Sequence, residues 1–111
     1  MPMEAGRMEK RYSEMSEFEL HQEISQLNEK AKKAEQMGMA SELAVYERKM
    51  AMAKSYLLNP DDYQPEEVYE LIEGGDTFKI SYLNGYFAWG YRNQENELSA
   101  VPISLLSKSK Q

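Results

Sequence analysis

The sequence predicts an α+β protein, in which an N-terminal antiparallel α-helical hairpin is followed by a small SH3-like β-barrel. The first half of the 111-residue chain is rich in Glu, Lys, Ala and Met, which favour helices. The second half is rich in Tyr, Ile, Val, Gly and Pro, which favour strands and turns. The sequence Asn59-Pro60 marks the boundary, because a residue that precedes a proline disfavours the helical conformation.

These shifts in composition divide the chain into five parts. We expect an N-terminal extension over residues 1–15, the α-helical hairpin over 16–58, a linker over 59–66, the SH3-like barrel over 67–106 and a C-terminal tail over 107–111. Residues 1–58 carry nearly balanced charge, whereas residues 59–111 contain nine acidic and four basic side chains. A barrel of roughly 40 residues is marginally stable alone, so we expect it to pack on the hairpin.

The first helix is predicted to run from a cap at Ser16 to a stop at Gly38. Ser16 and Glu19 have the spacing of a capping box, in which each side chain binds the backbone N–H of the other. Glycine at the end of a helix adopts the left-handed conformation at little cost. An apolar stripe with helical spacing follows the cap: Leu20, Ile24, Leu27, Ala31 and Ala34. A second helix over about residues 39–58 would fold back on this stripe, because the link between the two is short.

The strand pattern centres on Asn84-Gly85, the preferred sequence for a two-residue type I′ turn. The pairs that this turn sets are Tyr82–Phe87, Ile80–Trp89 and Phe78–Tyr91. Because side chains alternate along a strand, all six share one face, which we expect to be the core beneath the helices. Gly90 within a strand predicts a bend or bulge where the sheet curls. Further strands over about residues 67–73 and 98–106 complete the predicted barrel.

The composition excludes several classes of protein. The chain has no cysteine and one histidine, which excludes disulfide scaffolds, thiolate zinc sites, cysteine nucleophiles and histidine-rich metal centres. No apolar run approaches the roughly 20 residues of a membrane span, and the charged N-terminus lacks the apolar stretch of a signal peptide. We therefore expect a cytoplasmic protein that has no membrane association and needs no metal or other cofactor.

No constellation of residues in the sequence indicates catalysis. His21 has no serine and acid at a diagnostic spacing, so we interpret it as a surface or boundary residue. The acidic cluster Asp61, Asp62, Glu66 and Glu67 lacks the alternating ligands and the glycine of a calcium loop. We interpret its first two residues as a helix-to-strand turn and its last two as the entry to a strand. We expect no catalytic residues and no enzymatic activity. The alternative is an enzyme that uses Glu and Tyr side chains in a cleft between hairpin and barrel.

Seven residues are candidates for contact with a partner: Lys30, Lys32, Lys33, Arg48, Lys79, Tyr86 and Arg92. The first four lie on the predicted hairpin, where neighbouring glutamates interrupt a basic stripe that could hold phosphates. Tyr86 would lie beside Lys79 and Arg92 on the face opposite the core. A stacking platform for single strands or peptides is a further interpretation of four aromatic residues, Tyr82, Phe87, Trp89 and Tyr91, although the predicted register favours a core role for them.

Four segments resemble the YfhH family of short bacterial proteins. They are MEKRYSEMS at 8–16, KAKKAEQ at 30–36, ELAVYERKMAMAKSYLLNPDDY at 42–63 and ISYLNGYFAWGYR at 80–92. The resemblance extends from Met8 to about Leu106 and implies the same α-hairpin and SH3-like barrel. The resemblance implies no catalytic residue. It also implies regulation of transcription as a further role for the chain. Residues 1–7 precede the usual start of the family and are interpreted as an upstream extension.

The expected function is that of a non-enzymatic binding or regulatory protein that docks on a protein partner. The alternative is a transcriptional regulator that contacts nucleic acid through the basic face of the hairpin. A pI near 4.8 disfavours this alternative, because affinity for nucleic acid follows the number of phosphates that the protein neutralises. A homodimer is a further arrangement, in which the apolar stripes of two hairpins, which follow a heptad spacing, would pack together.

Overall fold

The computed structural model describes residues 10–72 and 74–107. Helices α1 (Glu17–Gln36) and α2 (Ala40–Ser55) precede five strands, which are β1 (Val68–Leu71), β2 (Thr77–Asn84), β3 (Phe87–Arg92), β4 (Ser99–Pro102) and β5 (Leu106–Ser107). Single turns of 3₁₀ helix lie at Tyr12–Glu14, Pro60–Asp62 and Ile103–Leu105. The predicted α+β order is confirmed. The interpretation of residues 1–7 as an extension, and most of the predicted tail, fall outside the described residues.

The two helices form the predicted hairpin. At the start of α1 the Ser16 hydroxyl accepts a hydrogen bond from the Glu19 N–H at 3.1 Å, and the Glu19 carboxylate accepts one from the Ser16 N–H at 2.9 Å. This is the capping box that the sequence predicts. Gly38 has a φ of 71° and reverses the chain between the helices. The buried residues of α1 all belong to the predicted apolar stripe and pack on α2: Leu20, Leu27, Ala31 and Ala34.

The five strands form one antiparallel sheet in the order β4-β3-β2-β1-β5. The sheet is open, with β4 and β5 at its edges, so the predicted closed barrel is not confirmed. It must nevertheless curl strongly. The edges of a flat five-stranded sheet would lie about 19 Å apart, whereas the four Cα–Cα steps from Pro102 to Leu106 span at most about 15 Å. The single turn Ile103–Leu105 therefore bridges two edges that the curl brings close together.

The apolar core of the sheet lies inside this curl. Its buried residues come from the linker, the strands and the last 3₁₀ turn: Tyr63, Tyr69, Leu71, Phe78, Ile80, Ala88, Val101, Ile103 and Leu106. Among the described residues, no member of this cluster belongs to α1 or α2. The expectation that the hairpin covers the aromatic face of the sheet is therefore wrong, because the curled sheet encloses its own apolar side chains.

The hairpin and the sheet meet at the C-terminal end of α2. The ring of Tyr56, which follows α2, packs on the ring of Tyr86 with centroids 4.1 Å apart. Tyr12 contacts Tyr56 edge-on at 6.2 Å, so the segment before α1 joins the same junction. A small junction gives an elongated molecule, with extents of 48 × 32 × 25 Å.

The turn between β2 and β3 differs from the predicted one. Asn84 is the last residue of β2 and pairs with Phe87, so the loop consists of Gly85 and Tyr86. A type I′ turn over Asn84-Gly85 would need a positive φ at both residues, and Asn84 does not have one. Gly85, with a φ of 63°, instead takes the first central position, where a type II′ turn places glycine. The predicted turn type and register are therefore wrong.

A β-bulge at Ser81 changes which side chains share a face. Ile80 pairs with Gly90 and Tyr82 pairs with Trp89, which leaves Ser81 as the extra residue of β2. One extra residue reverses the alternation of side chains beyond it. Ile80 therefore points into the core, whereas Tyr82, two residues later, points outward. The bend or bulge that Gly90 predicts is confirmed.

Candidate functional site

The outer face of the sheet carries a row of aromatic side chains. We define the outer aromatic face as Tyr82 of β2 together with Phe87, Trp89 and Tyr91 of β3. Trp89 pairs with Tyr82 across the two strands, and Phe87 and Tyr91 lie two residues to either side of Trp89. The prediction that these four rings share a face is confirmed. The predicted core role is wrong, because the bulge at Ser81 places the rings on the side opposite Phe78 and Ile80.

The rings of Tyr82 and Trp89 form the centre of this face. Their planes are inclined by 3° and their centroids lie 6.0 Å apart. Tyr82 is 45% exposed and Phe87 is 37% exposed, while Trp89 and Tyr91 are half-buried. Contiguous aromatic surface that remains open to solvent is typical of interaction sites.

The neighbours of the outer aromatic face are small or flat side chains. Ala100 and Pro102 of β4 pair with Trp89 and Phe87 respectively. On the other side, Val68 of β1 is 50% exposed and pairs with Lys79. These neighbours add apolar surface to the face. A ligand that approaches the sheet from outside would meet the exposed rings of Tyr82 and Phe87.

Charged side chains border this face mainly along β1 and the end of β3. Lys79 pairs with Tyr91 on the same face, and its Nζ lies 3.6 Å from a carboxylate oxygen of Glu66. Glu70 of β1 is exposed and also lies on the outer face, because it alternates with the buried Tyr69. The carboxylates therefore outnumber the ammonium group along this border.

Three predicted contact residues, Lys79, Tyr86 and Arg92, are not brought together. Tyr86 lies in the turn, half-buried against Tyr56 and the core cluster, and not on the open face. Arg92 pairs with Phe78 on the opposite side of the sheet from Lys79, and its guanidinium lies 3.5 Å from an Asp76 carboxylate oxygen. The prediction that these three share one surface is wrong, because the bulge separates Lys79 from the face of Arg92. Whether any of them contacts a partner stays a prediction.

The four predicted basic residues of the hairpin do not form one continuous stripe either. Lys30, Lys32, Lys33 and Arg48 are all exposed. Residues two apart on a helix point about 200° apart, so Lys30 and Lys32 face nearly opposite directions. Of the four, only Lys30 lines a groove that runs between the segment before α1 and the two helices.

This groove gathers basic side chains that are distant in sequence. It has a volume of about 710 Å³, and four basic and two acidic residues line it together with tyrosines and glutamines: Lys10, Arg11, Lys30, Lys49, Glu19 and Glu23. Lys10 forms an ion pair with Glu19 at 3.0 Å. The groove thus carries a local positive charge in a chain whose formal charge is −6. The positions of Lys10 and Arg11 could not be found from helical spacing, because they precede the helix.

The other candidate residues from the sequence are His21 and the acidic cluster. His21 is exposed on α1. Asp61 and Asp62 belong to a 3₁₀ turn, in which Asn59 Oδ1 accepts a hydrogen bond from the Asp61 N–H at 3.0 Å. Within residues 10–72 and 74–107, no group of three or more His, Cys, Asp or Glu side chains is arranged to hold a metal ion. The 3₁₀ turn at Pro60–Asp62 agrees with the turn interpretation of Asp61 and Asp62.

Among the residues that the structure describes, Glu19 and Tyr63 have a clearly shifted pKa, and both are away from the outer aromatic face. The pKa of Glu19 is lowered, first by the hydrogen bond from the Ser16 backbone and then by Lys10. The pKa of Tyr63 is raised, first by burial and then by the negative charge of Asp62. Both shifts follow from structural contacts. Neither group lies where a partner would meet the exposed rings.

One signal in the sequence could have placed the rings outside. Ala88 and Gly90 alternate with Phe87, Trp89 and Tyr91, so β3 has one small face and one large face. In a tightly curled sheet the small residues belong inside, where space is limited and Phe78 must fit. Treating the larger rings as core overlooked this restriction.

The helices in the described part of the chain are too short or too polar to cross a membrane. In a comparison with known proteins, a family model described as Protein of unknown function (DUF1811) matches residues 10–107. The chain is also 58% identical over 102 residues to a Bacillus subtilis (strain 168) protein named "Uncharacterized protein YfhH". The aligned region covers 91% of this chain and 98% of that relative. The resemblance to the YfhH family is confirmed. On both grounds, the chain belongs to the family of proteins of unknown function DUF1811.

Proposed function

We propose that this chain is a non-enzymatic binding protein that docks on a protein partner through its outer aromatic face. The observation that supports the proposal is the stacked pair of Tyr82 and Trp89 on the open side of the sheet, with Phe87 exposed beside it. Tyrosine and tryptophan supply a large contact area at a small cost in conformational entropy. They are enriched where proteins bind one another.

The position of the rings on strands also supports binding. The opposite side of the same strands holds fully buried Phe78, Ile80 and Ala88, which fix the backbone beneath the rings. A surface that is held by a packed core loses little freedom when a partner binds.

The cysteine-free composition is compatible with the proposed site of action, the cytoplasm.

We further propose that the curled sheet is a variant of the SH3-like barrel. The short antiparallel strands and the single 3₁₀ turn between the two edges support this interpretation. Nuclear Overhauser contacts between the backbones of β4 and β5 would establish closure. Edges that show no such contacts would identify an open sheet instead.

The docking proposal is tested by chemical cross-linking in cells that express a tagged chain, followed by mass spectrometry. The test variant carries Tyr82→Ser and Phe87→Ser. The control carries Phe18→Ser, which removes a ring that is 69% exposed on α1. We expect a protein that is enriched with the wild type and the control and is lost with the double variant. An identical set of proteins for all three would overturn the proposal, provided that circular dichroism shows each variant folded.

One observation favours a second candidate function, a transcriptional regulator that contacts nucleic acid through the hairpin. The groove contains four basic side chains against two carboxylates, and Arg11, Lys30 and Lys49 could contact phosphates while Lys10 is paired with Glu19. Titration with mixed duplex DNA at low ionic strength tests it, because electrostatic affinity is greatest there. We expect Lys30→Glu with Lys49→Glu to abolish binding. Lys32→Glu with Arg48→Glu, an equal change of charge outside the groove, should weaken it much less; absence of binding by the wild type removes this candidate.

A homodimer through the heptad stripes would need another surface than the one first considered. Leu27, Ala31 and Ala34 of α1 are buried by packing within one chain. Sedimentation velocity over a range of concentrations would measure the oligomeric state. Any dimer should then be mapped on surfaces other than the interface of α1 with α2.

A further inference from the structure

We infer that the outer aromatic face receives an extended segment of a protein partner that carries lysine or arginine side chains. This inference rests on the proposed function and adds the chemistry of the partner. It is carried by the placement of carboxylates around the rings and by the pairing of the nearby cations.

The half of the chain that contains the sheet has no unpaired cation to offer an acidic partner within its described residues. Lys79 and Arg92 are the two basic residues in this part, and they form ion pairs with Glu66 and Asp76. Of the ion pairs among the described residues, none includes Glu70, Glu95 or Glu97. The field of this half is therefore negative, and it attracts basic segments and repels phosphates.

The carboxylates are concentrated at one end of the aromatic row. Glu70 pairs with Thr77 and lies on the outer face near the Tyr91 end of β3. Glu95 and Glu97 lie in the exposed loop that leaves β3 after Arg92. Lys79, which lies opposite Tyr91 on the same face, is paired with Glu66. A cation above Tyr91 would therefore meet an aromatic ring at the more negative end of the row. Cations bind the faces of aromatic rings by electrostatic attraction.

The other end of the row suits an apolar side chain. Phe87 is exposed there beside Pro102, and no charged residue pairs with either of them. The four residue steps from Phe87 to Tyr91 cover about 13 Å, which is the length of about four residues of extended chain. The surface thus fits a short extended segment with an apolar residue at one end and a basic residue at the other.

Trp89 gives a direct measurement, since it is the single tryptophan of the chain and lies in the middle of the row. The experiment records the emission of Trp89 in the full chain at low ionic strength during titration with three hexapeptides. Each peptide begins with three leucines, which are followed by three arginines in the first peptide, three glutamines in the second and three glutamates in the third. We expect the arginine peptide to bind more tightly than the glutamine peptide by about threefold per cation placed on a ring, and the glutamate peptide to leave the emission unchanged.

A charge variant and a matched control locate the attraction. The variant carries Glu70→Gln, Glu95→Gln and Glu97→Gln, and we expect it to bind the arginine peptide about fivefold more weakly, with the difference vanishing at high salt. The control carries Glu29→Gln, Glu42→Gln and Glu47→Gln, which changes the net charge equally on the helices. The affinity of this control for the arginine peptide should match that of the wild type. Equal loss in both variants would overturn the inference, because net charge alone would then explain the binding.

The outcomes separate this inference from the proposed function. Equal binding of the arginine and glutamine peptides would overturn the basic partner and still support docking on the rings. An emission that no peptide changes would also overturn the inference, and the cross-linking experiment with Tyr82→Ser and Phe87→Ser then decides the proposed function by itself.

Discussion

The hydroxyl of Ser55 accepts a hydrogen bond from the backbone N–H of Ser104 at 3.0 Å, across 49 positions of the chain. The same hydroxyl donates to the carbonyl of Ala51 at 2.8 Å, and the Ser104 hydroxyl donates to that carbonyl at 2.6 Å. Ser55 is fully buried at the end of α2, and Ser104 lies in the 3₁₀ turn that bridges the sheet edges. These bonds therefore fix the hairpin to the sheet.

Replacement of Ser55 tests how much this junction stabilises the protein. Ser55→Ala removes both the acceptor for the Ser104 N–H and one donor to Ala51, so we expect a loss of about 1–3 kcal/mol in the free energy of unfolding. Urea denaturation followed by circular dichroism measures it. The control Ser25→Ala, at an exposed position within α1, should be neutral or slightly stabilising, since alanine favours helices. Equal stability of the two variants would show that the hydrogen bonds of Ser55 do not stabilise the protein.

Gly90 is required by the close approach of β2. A Cβ atom at this position would collide with the backbone carbonyl of Lys79. We expect Gly90→Ala to lower the free energy of unfolding by about 3 kcal/mol, because backbone cannot move aside as a side chain can. Denaturant titration measures the loss. Gly38→Ala is the control, since Gly38 has a φ of 71° and open space around it, so only the strain of about 1 kcal/mol should appear.

The hairpin could be predicted from local signals because its determinants are local. The capping box of Ser16 and Glu19 and the reversal at Gly38 each depend on residues within one or two turns. The apolar stripe predicted the buried face of α1 for the same reason. Helical spacing is insensitive to the rest of the chain, so a tertiary contact elsewhere does not alter it.

The outer aromatic face could be predicted only in part. Alternation correctly grouped the rings of β3 with Tyr82, because no irregularity lies between them. It failed across Ser81, since one unpaired residue exchanges the faces of everything beyond it. The choice between faces then depends on how tightly the sheet curls across the bridge at Ile103–Leu105, and the small residues Ala88 and Gly90 of β3 are its one local sign. The ion pairs of Lys79 and Arg92 depend on the same register.

The charge of Glu19 should make the stability of α1 depend on pH. The pKa of Glu19 is lowered below the ordinary value of 4.5, mainly by the Ser16 N–H and then by Lys10. The stabilisation is therefore complete above pH 4.5 and is lost as the pH falls through the lower pKa of the folded state. Glu19→Gln keeps a capping acceptor without the charge, so the variant should lack this dependence. Thermal unfolding of both proteins across this range measures it, and an advantage of the wild type that persists at the lowest pH would contradict the expectation.

Tyr63 should make the protein sensitive to alkaline pH. Burial raises the pKa of its phenol above the ordinary value of 10.0, with further contributions from Asp62 and Tyr69. A raised pKa in the folded state means that the stabilisation is complete below pH 10.0 and is lost as the pH rises through the folded value. The side chain in the Tyr63→Phe variant cannot ionise. The difference in unfolding free energy between wild type and variant should therefore stay constant below pH 10.0 and shift against the wild type above it. Urea denaturation of both proteins from about pH 9 to about pH 12 measures this difference. The comparison cancels the titration of the lysines, which both proteins share. A constant difference over the whole range would contradict the prediction, because Tyr63 would then ionise as easily in the folded chain as in the unfolded chain, and burial would not raise its pKa.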